Sequence, residues 1–297
     1  LLNMLTDDST YKNKALSKKL NKAFSLLLIA LLLTLSSCTK KNRAQSEIPQ
    51  RIVALSPVAT EILFAVGAED QVAAVSDLAD YPEEARKKPF AGGFDGKTLS
   101  METILSFKPD FVYLTDGMHN FLIEPLESYG IKYYVSKANS IKAVEQEILD
   151  IGIITGHEKN AKKIVDNIEE TVLKVQKNAA PTQLKVYYEV WNSPFMSVGT
   201  ESFINDILQT VNLKNIFDDL KDAYPVVSEE TILARQPDLI LIPMTSGLTV
   251  DDIKARNGWD SLPAVKNNKV FIINDNLYTR SGPRITQTLE ELSKLIK

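Results

Sequence analysis

Few residues in this chain are equipped for covalent or metal chemistry. Its two histidines, His119 and His157, lie in different segments. His157 falls in the first turn of an expected helix, where exposure is the ordinary outcome. No zinc-ligand spacing, phosphate-cradling glycine loop, dinucleotide glycine fingerprint or serine elbow occurs. Carboxylates are plentiful, with 38 Asp and Glu against 34 Lys and Arg, but context singles out no acid–base pair. This inventory suits recognition better than turnover, and recognition sites favour clefts between domains.

A cleft needs two lobes and something to hold them. Thr155 to Pro181 reads as one long helix. Thr155 and Glu158 have capping-box spacing. Ala161, Ile164, Val165, Ile168, Val172 and Val175 recur at helical spacing as one apolar stripe. Asn178 and Pro181 end the helix. Its rise is roughly 30 Å at about 1.5 Å per residue, enough to pass from one domain to another. A surface helix within a single domain is the alternative, and the flanks decide against it. Ser100–Leu114 and Ser228–Ile242 share seven of fifteen positions, including Glu102/Glu230, Pro109/Pro237 and Asp110/Asp238. Each copy reads as a capped helix, a Pro-Asp turn and a buried strand. Ser56-Pro57 with Thr60-Glu61 finds a weaker echo in Ser193-Pro194 with Thr200-Glu201.

The ends of the chain read differently. Lys12 to Lys22 form a basic flank, and Ala23 to Leu35 an apolar run too short for a comfortable membrane span. The run closes in Leu35-Ser36-Ser37-Cys38, which resembles the bacterial lipobox, whose cysteine is lipidated. An incidental buried thiol or an uncleaved signal anchor are the alternatives. Removing 1–37 takes away five lysines and two aspartates, so the net charge moves from −4 to about −7. With no basic stripe left, nucleic acid is not an expected partner. Cys38 is the only cysteine, so no internal disulfide forms. Residues 38–49 read as a polar tether.

Beyond the tether the chain, 44% hydrophobic over its full length, alternates strands and helices. Ile52–Leu55, Gln71–Val75, Phe111–Leu114 and Ile131–Val135 are expected strands of the first lobe, closed by a helix over 141–153. Leu184–Val190, Leu239–Ile242 and Val270–Ile273 are expected strands of the second. Trp191–Gly199 reads as a loop, and a last helix is expected from about Pro283. The expected class is α/β: two similar lobes with mainly parallel sheets, 50–155 and 181–297, joined by the helix 156–180, with a ligand cleft between them.

Arg51-Ile-Val-Ala-Leu-Ser-Pro57 with Thr60-Glu61, Asp80-Tyr81-Pro82, Leu105–Asp110, Asn215-Ile-Phe217 and Gly282-Pro-Arg-Ile285 carry a family resemblance. Over about residues 48–297 the chain resembles the substrate-binding proteins of ABC importers for vitamin B12 and ferric siderophores, nearest to the cobalamin-binding branch. The resemblance implies two lobes bridged by one stiff helix with small closure. It assigns permease docking to Glu102 and Glu230, a symmetric pair suited to a two-fold permease dimer. Both also sit in a first helical turn, where the dipole favours an anion. It assigns ligand binding to Leu78, Phe94, Met196, Tyr224, Asn276 and Arg280. Phe94 and Tyr224 keep an aromatic where the family has tryptophan, whereas Leu78 and Met196 replace aromatics. Tyr81, Trp191 and Tyr278 lie nearby in sequence and join the candidate set. Arg280 suits an amide, carboxylate or phosphate oxygen.

The expected function is a lipid-anchored receptor, held by Cys38 outside the cytoplasmic membrane, that passes a corrinoid-type metal chelate to an ABC importer. A ferric-siderophore or haem receptor is the alternative within the family, and an anchored α/β enzyme the alternative outside it. A signalling partner is a third. No protein-bound metal or resident cofactor is expected, since two scattered histidines do not suit a bare-metal site. A monomer is expected.

Overall fold

The computed structural model describes residues 48–296 apart from 181 and 182. The expected leader, Cys38 and most of the tether lie outside the described residues. From Ile48 onward the chain forms one compact unit. Among the described residues no helix is long and apolar enough to cross a membrane.

The first lobe runs β1 (Ile52–Ala54), α1 (Pro57–Val66), β2 (Val72–Ser76), β3 (Phe90–Gly92), α2 (Met101–Ser106), β4 (Phe111–Thr115), α3 (Ile123–Ser128), β5 (Lys132–Ser136) and α4 (Ile141–Thr155). The connector is α5 (Glu158–Lys177). The second lobe runs β6 (Lys185–Tyr188), the hairpin β7 (Trp191–Asn192) and β8 (Phe195–Met196), α6 (Phe203–Thr210), β9 (Lys214–Asn215), α7 (Glu229–Arg235) and β10 (Leu239–Pro243). It closes with α8 (Val250–Lys254), α9 (Pro263–Lys266), β11 (Val270–Ile273), α10 (Asp275–Thr279) and α11 (Ile285–Leu295).

Both main sheets are wholly parallel. The first has the order β3-β2-β1-β4-β5, the second β9-β6-β10-β11. Matching β6 to β1 and β10 to β4 makes the second order a copy of the first without its β3 edge. The sequence repeat is thus a topological repeat. It persists at the level of atoms. Ser100 and Ser228 cap α2 and α7, accepting from the amides of Thr103 and Thr231. Lys108 and Gln236 both take left-handed φ, near 48° and 49°. Asp110 accepts from the amide of Arg51 at 2.9 Å, and Asp238 from the amide of Lys185 at 2.9 Å. Each carboxylate locks the start of the neighbouring central strand to its own.

The central strands β1 and β10 are apolar throughout, and β4 is apolar up to Thr115, because both faces are covered. Ile52, Ala54, Phe111, Tyr113, Val186, Tyr188, Leu239 and Leu241 point into one inner core. Val53, Leu55, Val112 and Leu114 face an outer core of the first lobe, and Tyr187, Ile240 and Ile242 that of the second. The inner core also holds Ala161, Val165, Ile168 and Val175 of α5, so it runs unbroken through both lobes.

Four expectations need correction. The capping box at Thr155 does not form: Thr155 ends α4, with its hydroxyl on the Ile151 carbonyl. Gly156 takes φ 77° and turns the chain, so α5 starts at Glu158 behind an uncapped His157. Gly152 makes that turn tight, since a Cβ there would lie 2.4 Å from Ala161 Cβ. The Ser193-Pro194 echo is a hairpin turn instead, and the true counterpart of the α1 cap Ser56 is Ser202 at α6. Trp191–Gly199 is accordingly not all loop. Pro283 precedes α11 and is not inside its first turn, because Gly282–Ile285 is a separate hydrogen-bonded turn.

Candidate functional site

In a doubly wound sheet, the crevice opens at the carboxyl ends of the strands where the winding direction reverses. In the first lobe that point lies between β1 and β4, in the second between β6 and β10. Two cavities sit there. The first, about 260 Å³, is lined by Ser56, Leu78, Phe94, Thr115 and Ser136 of the first lobe and by Asn276, Thr279, Arg280 and Ser281 of the second. The second, about 280 Å³, is lined by Tyr188, Met196, Ile204, Tyr224, Pro243, Thr245, Asp275 and Thr279. Thr279 belongs to both, so the two hollows meet along α10. Each alone falls just below the usual size of a small-molecule site, about 300–1,000 Å³, and the two lie side by side.

Local chemistry fixes the walls. The loop bearing Phe94 is anchored by Asp77, which accepts from the Phe94 amide at 2.9 Å. His119 holds it from behind. The Thr115 amide donates to His119 Nδ1 at 3.1 Å, so the proton sits on Nε2 and is donated to the Phe94 carbonyl at 2.9 Å. Burial holds this histidine below its usual range, against the opposing pull of that hydrogen bond. The imidazole also meets the Phe94 ring edge-on at 5.8 Å. On the other side, the Tyr224 segment is strapped to 196–200 by backbone bonds, including Gly199 N to Ala223 O at 3.0 Å. Gly199 permits this approach, since a Cβ there would lie 2.0 Å from the Asp222 carbonyl oxygen.

Of the candidate set, Leu78, Phe94, Asn276 and Arg280 line the first cavity, and Met196 and Tyr224 the second. Trp191 is exposed on the hairpin, paired across it with Met196, and lines neither. Tyr81 faces a separate hollow beside α1 and α11, with the Arg284 guanidinium 4.2 Å over its ring. Tyr278 departs from expectation most clearly. It is fully buried, with its hydroxyl 3.1 Å from Glu291. On α10, residues 276, 279 and 280 share the cleft face, so 277 and 278 turn to the core.

Arg280 lines the cleft, yet its guanidinium is already engaged. It donates to Glu61 at 2.9 Å and Asp80 at 2.6 Å, both in the first lobe. Arg284 makes a bidentate pair with the same Glu61, at 2.8 and 2.6 Å. Burial alone would raise the Asp80 carboxyl, but the hydrogen bond and charge of Arg280 outweigh it and hold it below the usual value. This network ties the lobes behind the cleft. Among the described residues, Arg280 is the single cation and Asp275 the single anion lining either cavity. No three His, Cys, Asp or Glu side chains among the described residues form a metal-ligand group.

Glu102 and Glu230 are both exposed at repeat-related positions of α2 and α7. Their neighbour Glu229 is turned inward, accepting from Trp259 Nε1 at 2.7 Å. Sequence reading missed Tyr188, Thr245, Asp275 and His119. The available signal was position: each lies at or just beyond the carboxyl end of a parallel strand.

Comparison with known proteins agrees with this architecture. The description "Periplasmic binding protein" matches residues 52–277. The chain belongs to that family. It is 29% identical over 272 residues to the "Uncharacterized ABC transporter substrate-binding lipoprotein YvrC" of Bacillus subtilis, covering 89% of this chain and 85% of that one. It is 27% identical over 270 residues to the "Vitamin B12-binding protein" of Vibrio parahaemolyticus, covering 90% and 94%. A crystal structure of "a possible an iron-binding (periplasmic solute-binding) protein" from Staphylococcus epidermidis superposes with TM-score 0.74 at 31% identity, over 84% of this chain and 99% of that one. This family member is accordingly an extracytoplasmic substrate-binding protein of the ABC-transporter kind.

Proposed function

We propose that this family member is lipid-anchored through Cys38 and captures a corrinoid-type metal chelate for delivery to an ABC permease. The observation that carries the reading is the pair of adjoining cavities at the carboxyl edges of the two sheets, one of them walled by both lobes. Leu78, Phe94, Met196 and Tyr224 give it apolar and aromatic faces suited to a flat macrocycle. Its charge favours a corrinoid over the alternatives. The lone lining cation, Arg280, is held by two carboxylates, so little positive charge is left for an anionic siderophore or for haem propionates. Glu102 and Glu230 present one exposed carboxylate per lobe to the permease. The vitamin B12-binding relative supports the same ligand class.

Titration of residues 39–297 with cyanocobalamin, dicyanocobinamide, hemin and ferric hydroxamates, followed by calorimetry, tests this. Tight one-to-one binding of a corrinoid is the expected result. Binding of hemin or a ferric hydroxamate alone would move the reading to the other branch of the family. Binding of none would overturn it.

A further inference from the structure

A buried polar group with nothing to bond lies in the wall of the second-lobe cavity, closed to water. Tyr188 ends β6, is 1% exposed, and its hydroxyl has no partner in the protein. Buried hydroxyls are nearly always paired, because an unpaired one forfeits its hydration. Its neighbour Tyr278 obeys that rule through Glu291. Tyr188 breaks it, as Ser76 does, and Tyr188 stands on the wall of this cavity. Burial first, then the nearby Asp275 carboxylate, push its ionisation well above the ordinary tyrosine range. The group is therefore a standing O–H donor. Asp275, on the same cavity, has its carboxylate held at 2.8 Å by the Thr245 hydroxyl and at 3.3 Å by the Thr245 amide. The remaining walls, Val190, Met196, Ile204 and Pro243, are apolar, and no cation lines the cavity among the described residues.

We propose that the second-lobe cavity is a subsite for a neutral ligand group that both accepts and donates, a primary amide being the minimal case. A small shift of the cavity wall brings the Tyr188 hydroxyl, closed off in the ligand-free protein, to the amide carbonyl as donor, and Asp275 accepts from the amide N–H. A carboxylate at the same place meets a like charge at Asp275 and is rejected. Tyr188 is thus a specificity-determining residue, and the inference rests on the reading that this cleft binds a small molecule.

Benzamide and benzoate are a matched probe pair, nearly equal in shape and different by one charge. Their binding to residues 39–297 carrying ring-13C tyrosine is followed by NMR. Benzamide is expected to bind and shift the Tyr188 resonance, with benzoate at least about ten-fold weaker. Tyr188→Phe is expected to weaken benzamide roughly ten-fold. The thermal midpoint of the ligand-free variant should hold or rise, because a partnerless hydroxyl has been removed. Equal binding of the two fragments, binding of neither, or an unchanged benzamide affinity in Tyr188→Phe would each overturn the proposal. A lowered midpoint with unchanged affinity would show a purely structural tyrosine. The fragments do not depend on which chelate is carried, so a failed cyanocobalamin titration beside a discriminating fragment pair would remove the corrinoid reading and leave the subsite standing.

Discussion

Replacing Glu61 by alanine removes the carboxylate that joins the lobes behind the cleft. Its side chain is 2% exposed, and it faces Arg280 and Arg284, at 10% and 13%. Removing one member of a buried ionic cluster costs about 3–5 kcal/mol, because the charge left behind keeps its desolvation without its partner. Here the cost falls at the lower end, about 3 kcal/mol, since Arg280 keeps Asp80 and Arg284 keeps the face of Tyr81. In a domain of this size 1 kcal/mol moves the thermal midpoint by about 2–4 °C. The expected fall is therefore about 6–12 °C at pH 7, read by circular dichroism on residues 39–297. Lys174→Ala is the control. It breaks the Lys174–Glu290 pair, whose side chains are 63% and 45% exposed, and such pairs contribute about 0–1 kcal/mol. A fall in Glu61→Ala no larger than in Lys174→Ala would refute the claim that this cluster clamps the lobes.

Burial raises the Glu147 carboxyl above its usual range, although it accepts from Tyr113 and Ser136. The folded state thus holds a proton that the unfolded state releases near pH 4.3, so folding loses stability as pH rises above that point. Glu147→Gln should gain stability relative to wild type between pH 3.5 and pH 7; a difference that does not change with pH contradicts this. Gly199→Ala forces a Cβ against the carbonyl oxygens of Asp222 and Leu220, so a loss of about 1–3 kcal/mol and weaker ligand binding through the displaced Tyr224 segment are expected. An unaltered midpoint and affinity would show that the close approach is not needed. Glu102→Ala with Glu230→Ala should leave the thermal midpoint and ligand affinity unchanged, because both side chains are exposed, yet abolish uptake in cells. Normal uptake would remove the docking role.

The duplication was legible because the repeated residues have short-range duties. Serine before a helix, Pro-Asp before a strand and an apolar run after it each act within a few residues, so their types survive in both copies. The cleft was only half legible. Phe94, Tyr224 and Arg280 stood in loops or near helix ends, where a sequence hints at exposure. Tyr188 did not, because a strand-end tyrosine in an apolar run reads as core until the cavity beside it is known. Arg280 was found, but its engagement was not: Glu61 lies 219 residues away in the chain. Tyr278 was misplaced through neglect of helical phase, since Asn276 and Arg280 on one face send position 278 to the other.

A cleft with no free cation must hold its ligand by shape and by hydrogen bonds, and the hydroxyls on its first-lobe wall are placed for that task. Ser56 Oγ accepts from the Ala59 amide as a helix cap, which leaves its proton to donate. Ser136 Oγ donates to Glu147, which leaves its lone pairs to accept. The first-lobe wall therefore adds the Ser56 and Ser136 hydroxyls to the polar groups of the second lobe. Groups shared between two walls require fixed lobes. The inner core passes through α5 without interruption, so opening the lobes would expose apolar surface at about 25 cal/mol per Å². Prying a few hundred Å² apart costs several kcal/mol before any ligand enters.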